Sequence, residues 1–336
     1  MPMWAQQPIK DSTATKKHKV DFAGIPIISY NGSYGTIVGA NTMFFFNMDK
    51  KDTISPASLA GLGGGYSENR SWFGAAFAHM YLKEDTWRVT AAAGLGDINF
   101  QYYESFNEGG DGEFVDYNSV NRFALFKVMR RVFPHFYGGG VVKLQHSKTV
   151  FEMESDSTVT VDANGFGISL LYDTRNNVYY TTSGWKASLS YLSNIKWMGS
   201  DEQFHSVRGY ANYYFRINKE AILASRASMF ICLGNVPFSA QHAVGGKDIR
   251  GYTDGKYRGD QVYSAQTEYR WTFYKRWGAV GFFGLAFTEK PSSILLPGGG
   301  AGIRFLAIPS RNINIGIDGA IGNGDAGIYF RIGEAF

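Results

Sequence analysis

Val262-Tyr-Ser-Ala-Gln-Thr-Glu-Tyr-Arg-Trp-Thr-Phe273 is the stretch on which the fold turns. In an extended chain, successive side chains point to opposite faces. Tyr263, Ala265, Thr267, Tyr269, Trp271 and Phe273 therefore share one face, and Ser264, Gln266, Glu268, Arg270 and Thr272 share the other. The pattern recurs in both directions along the chain. Phe166, Ile168, Leu170 and Tyr172 oppose Ser169, Asp173 and Arg175. Val207, Ala211, Tyr213, Phe215 and Ile217 oppose Ser206, Arg208, Asn212, Arg216 and Asn218. Ile313, Ile315, Ile317 and Ile321 oppose Asn312, Asn314 and Asp318. Sustained period two means strands.

Alternation alone does not say whether the apolar face meets a core or lipid, since a soluble sandwich alternates too. Three features favour lipid. The segments run near ten residues or more, matching the roughly 9–11 of a tilted membrane strand. Tyr, Phe and Trp gather towards strand ends, as in aromatic girdles. About sixteen strands can be placed, centred near 29, 41, 61, 76, 93, 124, 142, 169, 190, 210, 226, 267, 282, 303, 316 and 331. An even number that closes leaves no edge unsatisfied in hydrocarbon. The reading is an all-β, transmembrane antiparallel β-barrel over residues 23–336, preceded by a flexible periplasmic tail over 1–22.

Composition agrees. Charged residues make up 18% of the 336 residues, the net charge is +4, and Gly is abundant at 41. No apolar run approaches the roughly 20 residues of a membrane helix. The lone Cys232 excludes an internal disulfide and any Cys-rich metal centre. Met1–Gln7 has neither a basic region nor an apolar one, so a signal peptide is expected outside this sequence. Basic residues are dispersed along strands, and nucleic acid is not an expected partner. Glycines cluster inside strands, at Gly61 to Gly65, Gly138 to Gly140 and Gly298 to Gly302, where they permit bending and close backbone approach.

Most connections are short. Residues 104–117 and 151–162 read as acidic, polar, extracellular loops. The longest connection spans 234–259, and a structureless loop of that length is expected to be functional or folded back. At its centre stands Gly245-Gly246-Lys247-Asp248-Ile249-Arg250-Gly251-Tyr252. Asp173-Thr-Arg175-Asn-Asn177 is followed by Thr181-Thr-Ser-Gly184-Trp185, and the chain ends Gly327-Ile-Tyr329-Phe-Arg-Ile-Gly-Glu-Ala-Phe336.

These three motifs, in this order, resemble those of the BamA/TamA outer-membrane assembly superfamily, also called bacterial surface antigens. The resemblance covers about residues 23–336. It implies that loop 234–259 folds into the lumen and that Arg250 contacts acidic groups on the inner wall. It also implies that Asp173, Arg175, Gly184 and Trp185 form the family's hairpin motif. Thr182 stands where the family usually has Pro. The ending with Tyr329 and Phe336 resembles the signal read by barrel-assembly machinery. Members that fold or secrete proteins carry POTRA domains before the barrel, and the resemblance here is to a short, barrel-only member.

Physical chemistry narrows the loop further. Arg250 is always charged and carries five donors, so in a narrow lumen it needs a carboxylate. Glu268, on the polar face of the next strand, is the first candidate. The family's second acid falls at Gly284 here, which leaves that part of the network without its residue. The alternative is Arg250 in an exposed turn. Asp173 and Arg175 share a face and read as a lumenal ion pair. Ile328, Phe330, Ile332 and Phe336 fall on one face of the last strand, with Tyr329 and Arg331 on the other.

Catalysis is not expected. The histidines lack His-Glu-x-x-His spacing, and Asn31-Gly-Ser-Tyr-Gly35 reads as a hairpin turn and not a nucleophile elbow. No metal or cofactor is expected. The leading expectation is a bacterial outer-membrane protein that assists outer-membrane biogenesis by inserting or transporting protein or lipid. Its expected partners are outer-membrane lipids and other outer-membrane or periplasmic subunits. One alternative is a passive or gated pore whose inward Arg175, Lys186, Arg208, Arg216, Arg226, Arg270 and Arg331 favour anions. The other is a structural subunit of a larger complex.

Overall fold

A computed structural model of the chain describes residues 20–31, 35–49, 51–105, 112–152, 157–253, 255–289, 293–309 and 312–336. Most of the expected tail, the centre of the Asn31–Gly35 turn and the tips of the two acidic stretches lie outside the described residues. The strands are β1 Val20–Asn31, β2 Gly35–Phe46, β3 Ser58–Ser67, β4 Trp72–Leu82, β5 Trp87–Ser105, β6 Gly112–Phe133 and β7 Phe136–Phe151. They continue as β8 Ser157–Asp162, β9 Gly165–Asp173, β10 Gly184–Asn194, β11 Phe204–Arg216, β12 Ala221–Gly234, β13 His242–Ala243 and β14 Arg258–Gly259. The last five are β15 Gln261–Tyr274, β16 Trp277–Glu289, β17 Ile294–Ile308, β18 Ile313–Gly322 and β19 Asp325–Ile332.

Among the described residues all pairings are antiparallel, and seventeen strands form one sheet. β8 and β9 share a single wall position, because both pair with β7, one along each half. β12 pairs directly with β15, so β13 and β14 stand off the wall as a separate two-stranded ribbon. The wall thus has sixteen positions, and each expected strand centre falls in its own one. β19 meets β1 through Tyr30↔Ile328 and Asn31↔Gly327. β1 meets β2 along its whole length, from Val20↔Phe46 to Asn31↔Gly35.

Burial shows which face is which. On β15, Tyr269, Trp271 and Phe273 are 44–48% exposed, whereas Glu268 is 0% and Arg270 5%. On β9, Ile168 is exposed and Ser169 buried. A soluble protein does the reverse. Apolar rings outside and buried charge inside are stable where hydrocarbon surrounds the wall.

Two boundaries differ from the sequence reading. β1 begins at Val20, so residues 20–22 belong to the wall and not to the tail. Residues 112–117 and 157–162 are strand and not loop. The second of these, Ser-Thr-Val-Thr-Val-Asp, is rich in β-branched residues that suit a pleated surface, and its charge misled the loop assignment. As a result, β5, β6 and β7 continue well beyond their neighbours on the side where the long loop starts.

The inner wall across β3–β6 is smooth for a packing reason. Phe73, Phe77 and Phe123 point inward but lie flat over Gly65, Gly61 and Gly94 of neighbouring strands. A Cβ on Gly61 would stand 2.7 Å from the Phe77 ring, and one on Gly94 2.5 Å from Phe123.

Candidate functional site

The connection after β12 leaves the wall at Gly234 (φ +103°) and turns once through Phe238–Ala240. β13 and β14 then pinch it into a hairpin through His242↔Gly259 and Ala243↔Arg258. Beyond that pinch the chain enters the barrel. Val244, Ile249 and Tyr252 pack against Phe204, Phe230, Val262 and Leu296 of the wall. Apolar burial thus anchors the loop before any charge is considered. At its base, the ring of Phe238 lies 4.9–5.1 Å from those of Tyr102, Tyr117 and Phe151 on the long strands. Arg258 covers the Phe238 ring at 3.8 Å.

The glycines let the loop approach the wall. Gly245 accepts the N–H groups of Asp248 (2.8 Å) and Ile249 (3.0 Å), closing a tight turn, and Gly246 faces the Tyr329 ring. Gly251 has φ +107°, and a Cβ there would stand 2.5 Å from the Ile321 backbone. Only glycine meets both demands. Its N–H donates to the Tyr329 hydroxyl (3.0 Å), which donates to the Tyr252 carbonyl (3.1 Å). The Tyr252 hydroxyl donates to the Pro297 carbonyl (2.6 Å) and accepts the Asn323 N–H (2.9 Å).

Arg250 lies fully buried in this setting. Its guanidinium pairs with Glu268 of β15 and, at 2.8 Å, with Asp318 of β18. The Phe282 ring lies 3.4 Å from Arg250 Cζ. Glu268 also takes Arg270 (2.7 Å). Asp318 takes Arg304 (2.5 Å) and Arg331 (2.6 Å), and Glu334 takes Arg304 (3.0 Å). Guanidiniums and carboxylates therefore alternate across β15, β17, β18, β19 and the loop. Within a buried network each charge depends on its partners, because the cost of desolvation is recovered only through them.

The sequence reading named Glu268 and missed Asp318. Gly284, where it looked for a second acid, sits opposite Gln266 with no carboxylate. The second acid comes instead from two strands further on. Asp318 was visible as an inward carboxylate in a strand of Ile, Gly and Ala, but the curvature that brings it to Arg250 was not. The C-terminus also departs from expectation. β19 ends at Ile332, and Gly333 at φ +81° turns the chain inward. Phe336 therefore does not continue the outward face of Ile328 and Phe330. Its carbonyl accepts from Arg270 (3.2 Å), and its ring lies 5.3 Å from the same guanidinium.

The hairpin motif forms a second cluster at the opposite end of the lumen. Arg175 grips Asp173 through Nε (2.8 Å) and Nη2 (2.9 Å), and Arg88 reaches Asp173 (2.6 Å) and Asp85 (2.7 Å). These groups line a cavity of about 920 Å³. Gly184, at φ +105°, lets the chain pass the Thr174 carbonyl, and the Trp185 ring packs tilted against that of Tyr213, centroids 4.4 Å apart, on the outer face. The Thr182 N–H donates to Asn176 Oδ1 (3.0 Å), a bond that proline could not make.

The model of the Omp85 superfamily domain matches residues 29–336. Among solved structures, BamA from Haemophilus ducreyi lacking POTRA domains 1–3 is similar, with a TM-score of 0.60 and 14% identity over 94% of this chain and 70% of that one. CdiB from Escherichia coli gives a TM-score of 0.64 and 14% identity, over 95% of this chain and 63% of that one. CdiB from Acinetobacter baumannii gives 0.60 and 14%, over 94% and 60%. The chain thus spans less than two thirds of either CdiB chain, and at this identity the likeness is one of fold. No curated protein sequence matches it.

Proposed function

The chain belongs to the Omp85 superfamily, whose barrels reside in the bacterial outer membrane, and from that premise we propose that it assists outer-membrane biogenesis by inserting or transporting protein or lipid. It acts without catalysis of its own. Members of the family work in complexes with other subunits, and we propose outer-membrane or periplasmic subunits as partners here.

The seam is the observation that supports this reading. Among the described residues β1 and β19 share two residue pairs, whereas β1 and β2 are paired throughout. Backbone groups facing hydrocarbon without partners cost several kcal/mol each, by order of magnitude. A seam held this briefly is the place where a client strand gains most by adding to the wall. The loop carrying Arg250 braces β15–β19 next to that seam, so the weak junction adjoins a densely ion-paired part of the lumen.

The test is a reversible lock. Tyr30→Cys with Ile328→Cys places two thiols at a facing pair of the seam. Oxidation in cells is expected to reduce the outer-membrane proteome or disturb lipid asymmetry, and reduction to restore it. An unchanged membrane in the locked strain would refute the proposal.

A further inference from the structure

The arginines of the two networks above all have carboxylate partners. Among the described residues other cations do not, and six of them lie together. Lys127, Lys143, Lys186, Arg208 and Arg226 face the lumen from β6, β7, β10, β11 and β12, and Lys247 faces it from the loop. Among the described residues, none of these six has a carboxylate within salt-bridge distance.

They surround one space. The Tyr210 ring has Arg226 Cζ at 4.5 Å and Lys186 Nζ at 5.7 Å. Lys127, Lys186 and Lys247 all act electrostatically on His79, and Arg208 and Arg226 act on Lys247. Arg226 donates to Asn212 Oδ1 (2.9 Å), and its buried Nε has no partner among the described residues. Two carboxylates lie within reach of this field, and both are engaged elsewhere. Asp248 accepts from His242 Nε2 (2.8 Å), from the Gly245 N–H (3.3 Å) and from Ser228 Oγ (3.4 Å). Asp173 is held by Arg88 and Arg175.

Like charges crowded into a confined lumen repel, and Asp173 and Asp248, each committed to other partners, offset them only in part. Around β15–β19 and at the hairpin motif the lumenal arginines are matched with acids, so the unmatched set calls for an anion from outside. A singly charged ion leaves most of the field in place. Arginine forks and lysine ammoniums together suit phosphate oxygens. Beside the cations runs the apolar face of Phe73, Phe77 and Phe123. We propose that this side of the lumen binds a ligand bearing more than one phosphate group, with Lys186, Arg226 and Lys247 as its principal contacts.

Purified full chain in a non-ionic detergent, at low ionic strength, tests this with two probes. One is inorganic tripolyphosphate, followed by calorimetry. The other is phosphatidic acid in mixed micelles, followed by tryptophan fluorescence. Saturable binding of either is expected, with affinity reduced at least 10-fold in Lys186→Gln/Arg226→Gln/Lys247→Gln. Binding of tripolyphosphate alone assigns a free polyanion, and binding of the micelles alone assigns a lipid headgroup. The ligand-free triple variant is expected to unfold at the same temperature as the parent or higher, since repulsion has been removed. Lys247→Gln, on an exposed loop side chain, is expected to weaken binding about 3-fold on its own. Three results would each overturn the proposal: no saturable binding of either probe, undiminished binding by the triple variant, or a lower unfolding temperature for it.

Discussion

On the β15–β19 side of the lumen, Arg250, Arg270, Arg304 and Arg331 interleave with Glu268, Asp318 and Glu334. Across β6–β12, Lys127, Lys143, Lys186, Arg208 and Arg226 line the wall with no carboxylate among the described residues at salt-bridge distance, and Asp173, opposite Lys186, is taken up by Arg88 and Arg175. Both sides point charge at an enclosed interior, yet only the first resolves it internally. The first side therefore reads as a brace and the second as a receptive surface. A buried charge matched by its own chain contributes to shape; one left unmatched contributes potential for something else to meet.

The contrast can be broken at the brace. Arg250→Ala strands Glu268 and Asp318 with fewer cations, and should cost about 3–5 kcal/mol of barrel stability. Urea unfolding in detergent reads this, and a loss under 1 kcal/mol would mean that the loop is not held by its ion pairs. Gly251→Ala forces a side chain into a backbone conformation and a contact that reject it, at about 1–3 kcal/mol, with Glu268→Gln as a comparison that leaves the backbone untouched. Phe238→Ala removes a ring packed between the long strands and Arg258. The loss should be about 1–2 kcal/mol, seen most clearly as faster proteolysis within 234–259. On the other side the sign should reverse. Lys186→Gln with Arg226→Gln should be neutral or stabilising by up to about 1 kcal/mol, because exchanging unmatched charges relieves repulsion. A loss there equal to that of Arg250→Ala would erase the distinction between the two sides.

Much of this was legible in the residues themselves. Period-two alternation located a strand at each of the sixteen wall positions, though not β8, because each strand must present one face to hydrocarbon whatever its neighbours do. Glu268 could be named because it lies on the polar face of the strand that follows the loop. Asp318 could not, since which inward carboxylate meets Arg250 depends on how the wall curves between β15 and β18. Phe336 failed for a local reason: parity holds only while the strand continues, and Gly333 ends it. The stretches at 112–117 and 157–162 failed because a polar, acidic composition reads as loop even where the backbone stays in the ladder. The partition of the lumen into matched and unmatched charge needed the register of all the strands together.

The shortness of β19 has a consequence for the surrounding lipid. Eight residues at about 3.3 Å each give roughly 27 Å of strand, and a tilt near 40° leaves roughly 20 Å along the bilayer normal. The apolar belt of such barrels is about 25 Å tall. Acyl chains abutting the last strand must therefore shorten or splay to meet it, while those beside β6 have wall to spare. The protein would sit in its membrane with a dimple on one flank, which lowers the hydrophobic thickness that anything crossing there must traverse.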